Sequence, residues 1–345
     1  MKYQSVLASL RRDAHLRTAE FLHYSGLLGT RRCLRTRVLG KDQVCVLGFH
    51  RVLSTEELSG CDSLPGMIMK QSTFSSLLEY VRHRYRVIGL EELESTCSGF
   101  PKPRCLITFD DGWKDNYTRA FPWLARYGVP ATVFLATGFI GGNIRFWVEQ
   151  LIGAWKDPAS RQKMLSSTRT LFEVREKAPS LDSLIECLKR MSAAKREGIL
   201  KGLLPARGEG NHRGAVDEML NWEEVAEMSA AGIDFGAHTV THPLLTYEDD
   251  GTIERELRQA KQNLEARLKR NVRAFAYPNG EWDARVRGWV QATGYEYAFT
   301  TQAGWHRVGR DPYTIRRILL HEGNVTGQDG QFSPAMFNLT VARSD

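Results

Sequence analysis

The stretch Thr108-Phe109-Asp110-Asp111-Gly112 limits most strongly how this chain can fold, because two adjacent carboxylates directly follow an apolar run. The run 105–109 is short, β-branched and preceded by two prolines, which predicts a buried strand. Gly112 then allows the chain to turn. Adjacent carboxylates beside a buried strand repel each other and lose hydration, so they require a cation or a proton. Alone, the same residues also suit an ordinary turn or helix start.

A second stretch, 238–242 (His-Thr-Val-Thr-His), supplies two further candidate ligands. His238 and His242 stand four residues apart, a spacing that brings both imidazoles to one metal ion if the segment forms a helical turn. One aspartate with two histidines is a facial ligand set for Zn²⁺ or another divalent first-row metal, with positions left for water and substrate. The alternative for such a histidine pair by itself is a chance occurrence on the protein surface, with no metal bound. Together with the carboxylates, it predicts a metal site.

Both stretches resemble the first two motifs of the NodB-like polysaccharide deacetylases, carbohydrate esterase family four, and residues 275–280 (Phe-Ala-Tyr-Pro-Asn-Gly) resemble the third. The resemblance covers roughly residues 44–320. It implies an α/β fold, a distorted (β/α) barrel of the NodB-like deacetylase type. The implied reaction is metal-dependent hydrolysis of the N-acetyl group of an N-acetylated saccharide, in surface polysaccharide or lipid-linked glycan synthesis.

The resemblance also implies roles for individual residues. Asp111, His238 and His242 would hold the metal, with Zn²⁺ expected and Co²⁺, Ni²⁺ or Fe²⁺ as alternatives. Asp110 would be the general base, and a backbone N–H near Asn279 would help to stabilise the oxyanion. The third motif would line the substrate through four residues, which are Tyr277, Pro278, Asn279 and Gly280.

The sequence departs from the family pattern at the third motif. Ala276 stands where the family usually has an arginine that orients the base, and Asn279 stands where an aromatic residue is usual. Arg317, on the last predicted strand, is a candidate substitute, and an exposed strand arginine is the alternative. Residues 318–321 (Ile-Leu-Leu-His) resemble the family's last motif, which makes His321 the candidate general acid.

Two further residues are candidates for the rim of the site. His50 follows the first predicted strand and either lines the site or is a hydrogen-bonded rim residue. Trp147 either contacts a sugar ring or packs within the protein.

Strands and helices alternate along the chain, which predicts a parallel sheet. Functional residues of such a fold lie at the carboxyl ends of the strands, where all the motifs above fall. The predicted strands are 44–49, 87–90, 104–109, 131–136, 233–237, 272–277, 295–300 and 313–320. The predicted helices are 72–84, 115–127, 221–231, 252–270 and 283–292.

Two segments fall outside this alternation. Residues 143–217 are predicted to be an insertion into the 42–345 barrel, helical and charged around 181–200, loop-like around 205–215, and able to form a wall or lid over the cleft. Residues 1–41 hold nine Lys or Arg and two acidic residues, so this segment carries the whole net charge of +7. Its residues 3–28 predict an amphipathic helix, either docked on the barrel or attached to an anionic membrane surface.

The composition indicates the compartment in which the protein is expected and the partners that it is expected to bind. Six scattered cysteines without a Cys-x-x-Cys pair are not a disulfide framework, and a reducing compartment is expected. We expect neither a secretory signal nor a transmembrane helix, and therefore a cytoplasmic or membrane-peripheral location. Nucleic acid is not an expected partner, since no aromatic residues are interleaved with the basic ones. Two other functions stay open, namely a glycan-binding protein with a degenerate site and an amidase acting on a non-sugar C–N bond. The sugar, the native metal and the oligomeric state stay open as well.

Overall fold

The computed structural model describes residues 42–96, 102–142, 144–172, 180–204 and 215–343, together with residues 16, 18–20, 22 and 25. Most of the predicted N-terminal helix, its basic cluster at 31–37, and the predicted loop up to residue 214 lie outside the described residues.

Eleven strands form within the described residues. In chain order, β1 to β11 are Gln43–Phe49, Arg51–Leu53, Ile68–Lys70, Arg86–Val87, Arg104–Phe109, Thr132–Leu135, Asp234–Ala237, Ala274–Ala276, Tyr297–Phe299, His306–Arg307 and Ile318–Leu319.

Nine of these strands belong to one curled sheet with the order β10-β1-β5-β6-β7-β8-β9, to which β4 adds beside β5 and β11 beside β1. All pairings except that of β1 with β10 are parallel. After β9 the chain forms a parallel bridge between Phe299 and Ile315, and β11 then pairs with β1. The segment 315–319 therefore joins the two edges of the sheet, as a distorted barrel requires.

The described α-helices cover the outside of this sheet or belong to the insertion. They are Gln71–Arg84, Phe121–Tyr127, Trp147–Lys156, Pro158–Phe172, Leu181–Lys189, Ala193–Leu203, Trp222–Ala230, Asp250–Leu268, Ala284–Ala292, Glu322–Val325 and Pro334–Arg343. A π-helical turn, Asn116–Ala120, runs directly into helix Phe121–Tyr127.

Local sequence signals explain several helix ends. Helix Phe121–Tyr127 ends at Gly128, whose left-handed φ of 60° suits a residue without a Cβ. Helix Trp222–Ala230 begins at Asn221, which exchanges hydrogen bonds with Glu224 in a capping box. Both ends agree with the predicted boundaries to within one residue.

Alternation along the strands divides the core into two clusters. On β1, Val44 and Val46 face the barrel interior and pack with Phe134 and Phe299 from opposite strands. Cys45, Leu47 and the other outward residues pack against the covering helices. This pattern accounts for the continuous apolar strand at 105–109, since both faces of β5 are buried.

The predicted insertion contains four described helices rather than the single helical region expected around 181–200. Helices Trp147–Lys156 and Pro158–Phe172 were missed, and the predicted region divides into two helices separated by Ser192. All four pack around an apolar cluster of their own, which includes Leu151, Met164, Leu188 and Leu200.

Some predicted strands are shorter than expected. The strand predicted at 87–90 ends after Val87, because Leu90–Glu92 forms a 3₁₀ turn. The last strand is reduced to Ile318–Leu319, with Ile315 as an isolated bridge. Near the N-terminus, Leu16 and Ala19 are buried against Ala335 and Leu339 of the C-terminal helix. Among the described helices, none combines the length and apolar character needed to cross a bilayer.

Candidate metal centre and catalytic residues

The carboxyl ends of the parallel strands bring the predicted site residues to one rim of the barrel. His50 follows β1, Asp110 and Asp111 follow β5, and His238 follows β7. Because β1, β5, β6 and β7 are successive parallel neighbours, these residues meet although almost 190 positions separate the first from the last.

Asp111, His238 and His242 converge on one point. Oδ1 of Asp111 lies 3.5 Å from the Nε2 atom of each histidine. The two Nε2 atoms are 3.2 Å apart. One ligand atom from each residue therefore lies within 4.8 Å of the others, as a shared cation requires.

The protonation of the histidines suits metal binding. Nδ1 of His238 lies 2.7 Å from the carbonyl oxygen of Ala276, which can only accept, so Nδ1 carries the proton and Nε2 keeps its lone pair. Burial lowers the pKa of His238 and of His242 to about 4, so both rings are neutral at neutral pH. A carboxylate and two imidazole nitrogens with free lone pairs fit Zn²⁺ or a related divalent ion.

The two imidazole rings converge, although the segment 238–242 does not form the helical turn that the spacing argument gave as its condition. Thr239 and His242 have left-handed φ angles of 67° and 57°, which no helical turn contains. Glu256 instead holds the loop, since its carboxylate accepts from the backbone N–H groups of Val240 and Thr241 at 2.7 and 2.9 Å. The hydroxyl of Thr239 accepts from the His242 N–H.

Asp110 lies beside this triad and is paired with Arg317. Nη1 and Nη2 of Arg317 donate to the two oxygens of Asp110 at 2.7 Å each. Burial alone would raise the pKa of Asp110, but the Arg317 charge and nearby His238 hold it well below its usual range. Arg317 is fully buried, so the alternative of an exposed strand arginine is wrong.

The backbone explains how Arg317 reaches the rim. It precedes β11, and its guanidinium passes 5.7 Å from the ring centroid of Phe134 inside the barrel. Its Nε atom donates to the carbonyl of Thr300. The position that lacks the usual arginine, Ala276, lies on β8, so this guanidinium reaches the base from a different strand.

His50 and His321 lie on the same side of the site. Nε2 of His50 is 3.8 Å from Oδ2 of Asp110. His321 is the N-cap of helix Glu322–Val325, and its Nδ1 accepts from the N–H of Gly323. Burial and the nearby charge of His50 lower the pKa of His321, so its ring is neutral at neutral pH unless a substrate changes its surroundings.

The third motif is used mainly for packing. Tyr277 is buried and its hydroxyl donates to the carbonyl of Tyr313, so its side chain packs inside the protein, and its role toward substrate stays a prediction. Gly280 has a φ of +72°, and an added Cβ would stand 2.3 Å from the backbone nitrogen of Thr301. The adjacent chain is therefore sufficient to require a glycine here, and the contact of Gly280 with substrate stays a prediction. Pro278 and Asn279 form the 3₁₀ turn between them, with Asn279 at a φ of 57°.

The insertion contributes a wall beside the triad. Phe146 packs edge-on to His242 with ring centroids 5.1 Å apart. Trp147 begins the next helix and packs under Arg196, whose guanidinium carbon is 5.1 Å from the ring centroid. Of the two possibilities predicted for Trp147, contact with a sugar ring or packing within the protein, this contact agrees with packing. Burial and the charge of Asp111 raise the pKa of Glu149 to about 8, so this carboxyl is neutral at neutral pH.

Sequence reasoning missed three contributors to the site. Trp113 donates from Nε1 to Oδ2 of Asp111 at 3.0 Å. Glu256 holds the histidine loop. Arg51 anchors a group of residues that we call the Arg51 cluster. Its members are Arg51, Cys61, Asp62, Ser63, Asp115, Arg145 and Asp217. Glu256 had no signal beyond an inward position on its helix, whereas Arg51 directly follows the already suspected His50.

Comparison with known families identifies the architecture. The polysaccharide deacetylase family matches residues 98–298, more than half of the chain. The Bacillus subtilis protein YxkH is 22% identical over 237 residues, which cover 68% of this chain and 58% of YxkH. The poly-β-1,6-N-acetyl-D-glucosamine N-deacetylase of Staphylococcus epidermidis is 31% identical over 113 residues, covering 30% of this chain and 39% of that enzyme. The chain thus spans less than two thirds of either relative.

Solved structures of similar fold cover most of the chain. The Streptococcus pyogenes deacetylase PplD in complex with acetate aligns with a TM-score of 0.54 at 20% identity, covering 82% of this chain and 94% of that one. IcaB from Ammonifex degensii aligns with a TM-score of 0.55 at 19% identity, covering 88% and 98%. The predicted fold class, a distorted barrel of the deacetylase type, is confirmed.

Proposed function

We propose that this chain, which belongs to the polysaccharide deacetylase family, hydrolyses the N-acetyl group of an N-acetylated saccharide with the help of a divalent metal ion. The observation that carries the proposal is the meeting of three free ligand atoms with a separate, ionised carboxylate. Asp111, His238 and His242 supply the ligands, and Asp110 stands beside them under the control of Arg317.

The deacetylases of carbohydrate esterase family four are metal-dependent, and we propose Zn²⁺ as the native ion. Two neutral imidazoles and one carboxylate are a typical ligand set for Zn²⁺ when a further position is left for water. Co²⁺, Ni²⁺ and Fe²⁺ accept the same donors. When bound, such an ion supplies Lewis acidity at the amide carbonyl and makes a water molecule more acidic.

Asp110 has the role of proton acceptor. Its carboxylate remains ionised far below neutral pH because the Arg317 charge opposes protonation. The same ion pair lowers the proton affinity of Asp110. Arg317 therefore keeps the carboxylate ionised but also makes it a weaker base. The bidentate contact also fixes the plane of the carboxylate, which directs its remaining lone pairs.

His321 is proposed as the proton donor to the departing amine, with His50 as the alternative. His50 lies near Asp110, and it is also close enough to His321 to lower the pKa of that ring. In the neutral ring, Nδ1 of His321 accepts the Gly323 N–H, so Nε2 carries the hydrogen and is the nitrogen available toward a substrate. To act as the acid, the ring must first take up a second proton, and donation to the amine then returns it to the neutral form.

The substrate class is proposed from the family and from one named relative. The Staphylococcus epidermidis relative is named for poly-β-1,6-N-acetyl-D-glucosamine. We propose an N-acetylated hexosamine glycan for this chain as well, in exopolysaccharide or lipid-linked glycan synthesis. We also propose a cytoplasmic location, with residues 1–41 either docked on the barrel or in contact with anionic lipid.

The test is acetate release together with metal analysis. Purified protein is assayed for metal content and for acetate release from N-acetylated glucosamine oligomers of several linkages and lengths. We expect release that is abolished by a chelator and restored by Zn²⁺ or Co²⁺. Glycan binding without acetate release would favour a binding protein with a degenerate site. Release of acetate only from non-sugar amides would favour the amidase.

A further inference from the structure

The two carboxylate oxygens of Asp111 have different neighbours. Oδ1 lies 3.5 Å from both histidine Nε2 atoms, and Oδ2 accepts the indole N–H of Trp113 at 3.0 Å. Only one oxygen therefore faces the shared ligand point. The other is held by a side chain that stands two residues further along the chain.

Asp111 is in a conformation that needs such support. Its φ is +76°, in the left-handed region that a residue with a Cβ enters at a cost. Gly112 follows at +87°, where an added Cβ would meet Leu135 at 2.7 Å. The backbone is therefore fixed tightly around Asp111, while rotation of the carboxylate itself is limited by the Trp113 hydrogen bond.

Trp113 is itself immobilised by the Arg51 cluster. The indole is fully buried, with the guanidinium carbon of Arg51 at 4.1 Å from its ring centroid and the Phe146 ring at 5.3 Å. Arg51 donates from Nε to Asp115 at 2.9 Å and from Nη1 to Ser63 at 3.0 Å, and it pairs with Asp217. A cation held on three sides and stacked on an indole restricts the ring more than apolar packing alone.

The same cluster fastens both ends of the insertion. Asp217, which follows the inserted helices, pairs with Arg51 and with Arg145, which precedes them. Arg145 also pairs with Asp62. A continuous set of contacts thus leads from the base of the insertion through Arg51 and Trp113 to Asp111.

We propose that Trp113 is a positioning residue for the metal centre, which turns Oδ1 of Asp111 toward His238 and His242 by binding Oδ2. This inference rests on the proposed metal-dependent function. Groups that orient a metal ligand in this way typically change metal affinity by about 10–100-fold when they are removed. The hydrogen bond, and not only the bulk of the ring, is the feature that acts.

The experiment measures metal affinity in two variants at one position. Trp113→Phe removes the N–H and part of the ring. Site-specific incorporation of benzothienylalanine at position 113 replaces only the N–H by sulfur and keeps the shape. The affinity for Zn²⁺ is measured by competition with a chromophoric chelator, and the visible absorption of the Co²⁺-loaded protein reports ligand geometry. Benzothienylalanine at Trp123, which packs on Tyr127 away from the site, is the matched control.

We expect both variants at position 113 to lose about 10–100-fold in Zn²⁺ affinity with an altered Co²⁺ spectrum, and the control to be unchanged. If Trp113→Phe fails to fold, the benzothienylalanine protein decides. Unchanged affinity and spectrum in that protein, with tight binding by the unsubstituted chain, would overturn the inference and leave the proposed function intact. Absence of metal binding by the unsubstituted chain would overturn both.

Discussion

Arg317 and Arg51 are both fully buried, and each pairs with an aspartate of the same short stretch, Asp110 or Asp115. The two regions look alike in burial and in charge. They differ in the other groups that surround each aspartate. Oxygens of Asp115 accept from Arg51 and from the Val52 N–H, and its neighbours are structural. Asp110 accepts from Arg317 but also lies beside His50 and the metal ligands.

This difference teaches that a buried arginine–aspartate pair is not by itself a sign of catalysis. The Arg51 cluster surrounds its guanidinium with acceptors from several segments, including a thiol, a hydroxyl, two carboxylates and the Val216 carbonyl. Arg317 serves one carboxylate, one hydroxyl and one carbonyl at the strand ends. We therefore assign stability and the support of Trp113 to the first region, and control of the base to the second.

The largest expected effect is on stability, from Arg51→Gln. This change leaves Asp115 and Asp217 buried without their cation, which costs about 3–5 kcal/mol in comparable buried pairs. Urea unfolding should show a correspondingly lower free energy of unfolding. Arg119→Gln, which breaks the partly exposed pair with Glu57, is the control and should cost at most about 1 kcal/mol. Equal stability of the two variants would remove the structural assignment of the Arg51 cluster.

Arg317→Lys tests the other side of the comparison. Lysine keeps the positive charge beside Asp110 but loses the planar two-pronged contact. We expect acetate release to fall by about 10²-fold with metal content unchanged. The pKa of Asp110 should also rise, because the compensating hydrogen bonds are lost, so the acidic limb of the kcat/KM profile should move to higher pH. A variant with wild-type rate and profile would show that Asp110 needs no orientation from Arg317.

His321→Ala separates the two rim histidines. If His321 donates the proton to the departing amine, turnover should fall by roughly 10²-fold with metal content unchanged. His83→Ala, on the exposed face of helix Gln71–Arg84, is the control and should have no effect. Unchanged turnover in His321→Ala would reduce His321 to a helix cap and transfer the role to His50.

The smallest expected effect concerns pH and the metal ligands. Because burial lowers the pKa of His238 and His242 to about 4, both stay largely neutral at pH 5. Zn²⁺ affinity of the folded protein should therefore change by less than about tenfold between pH 7 and pH 5. Two histidines with an ordinary pKa of about 6.5 would together weaken binding by about 10³-fold over that range. Competition titrations at the two pH values distinguish these cases.

Several parts of the fold and site were accessible from the sequence for identifiable reasons. The β5 strand and the Asp-Asp-Gly turn combine a continuous apolar run with a conformation that requires glycine at Gly112. The capping residues Asn221 and Glu224 indicate the start of helix Trp222–Ala230. The barrel class and the ligand set came from the motif resemblance, since alternation alone indicates only a parallel sheet.

Other parts depend on tertiary contacts that no local pattern records. The loop at 238–242 bends because Glu256, on a helix that follows, accepts its N–H groups, and the spacing of the histidines alone suggested a helical turn. The burial of Arg317 follows from its passage through the barrel, which a strand pattern does not reveal. Trp113 stands only two residues after Asp111, but its indole is held by Arg51 from a distant segment, so the roles of both residues emerge only from the folded structure.

The central claim is that the two adjacent aspartates have different roles. Asp111 is a metal ligand, and Asp110 is the general base. Zn²⁺ titration and acetate release of Asp110→Asn and Asp111→Asn in one buffer test it directly. Asp111→Asn should lose both metal affinity and activity. Asp110→Asn keeps the shape but cannot accept a proton, so it should retain metal and release acetate at least about 10²-fold more slowly. Loss of metal by Asp110→Asn with retention by Asp111→Asn would reverse the roles, and retention of metal and activity by both would contradict the site.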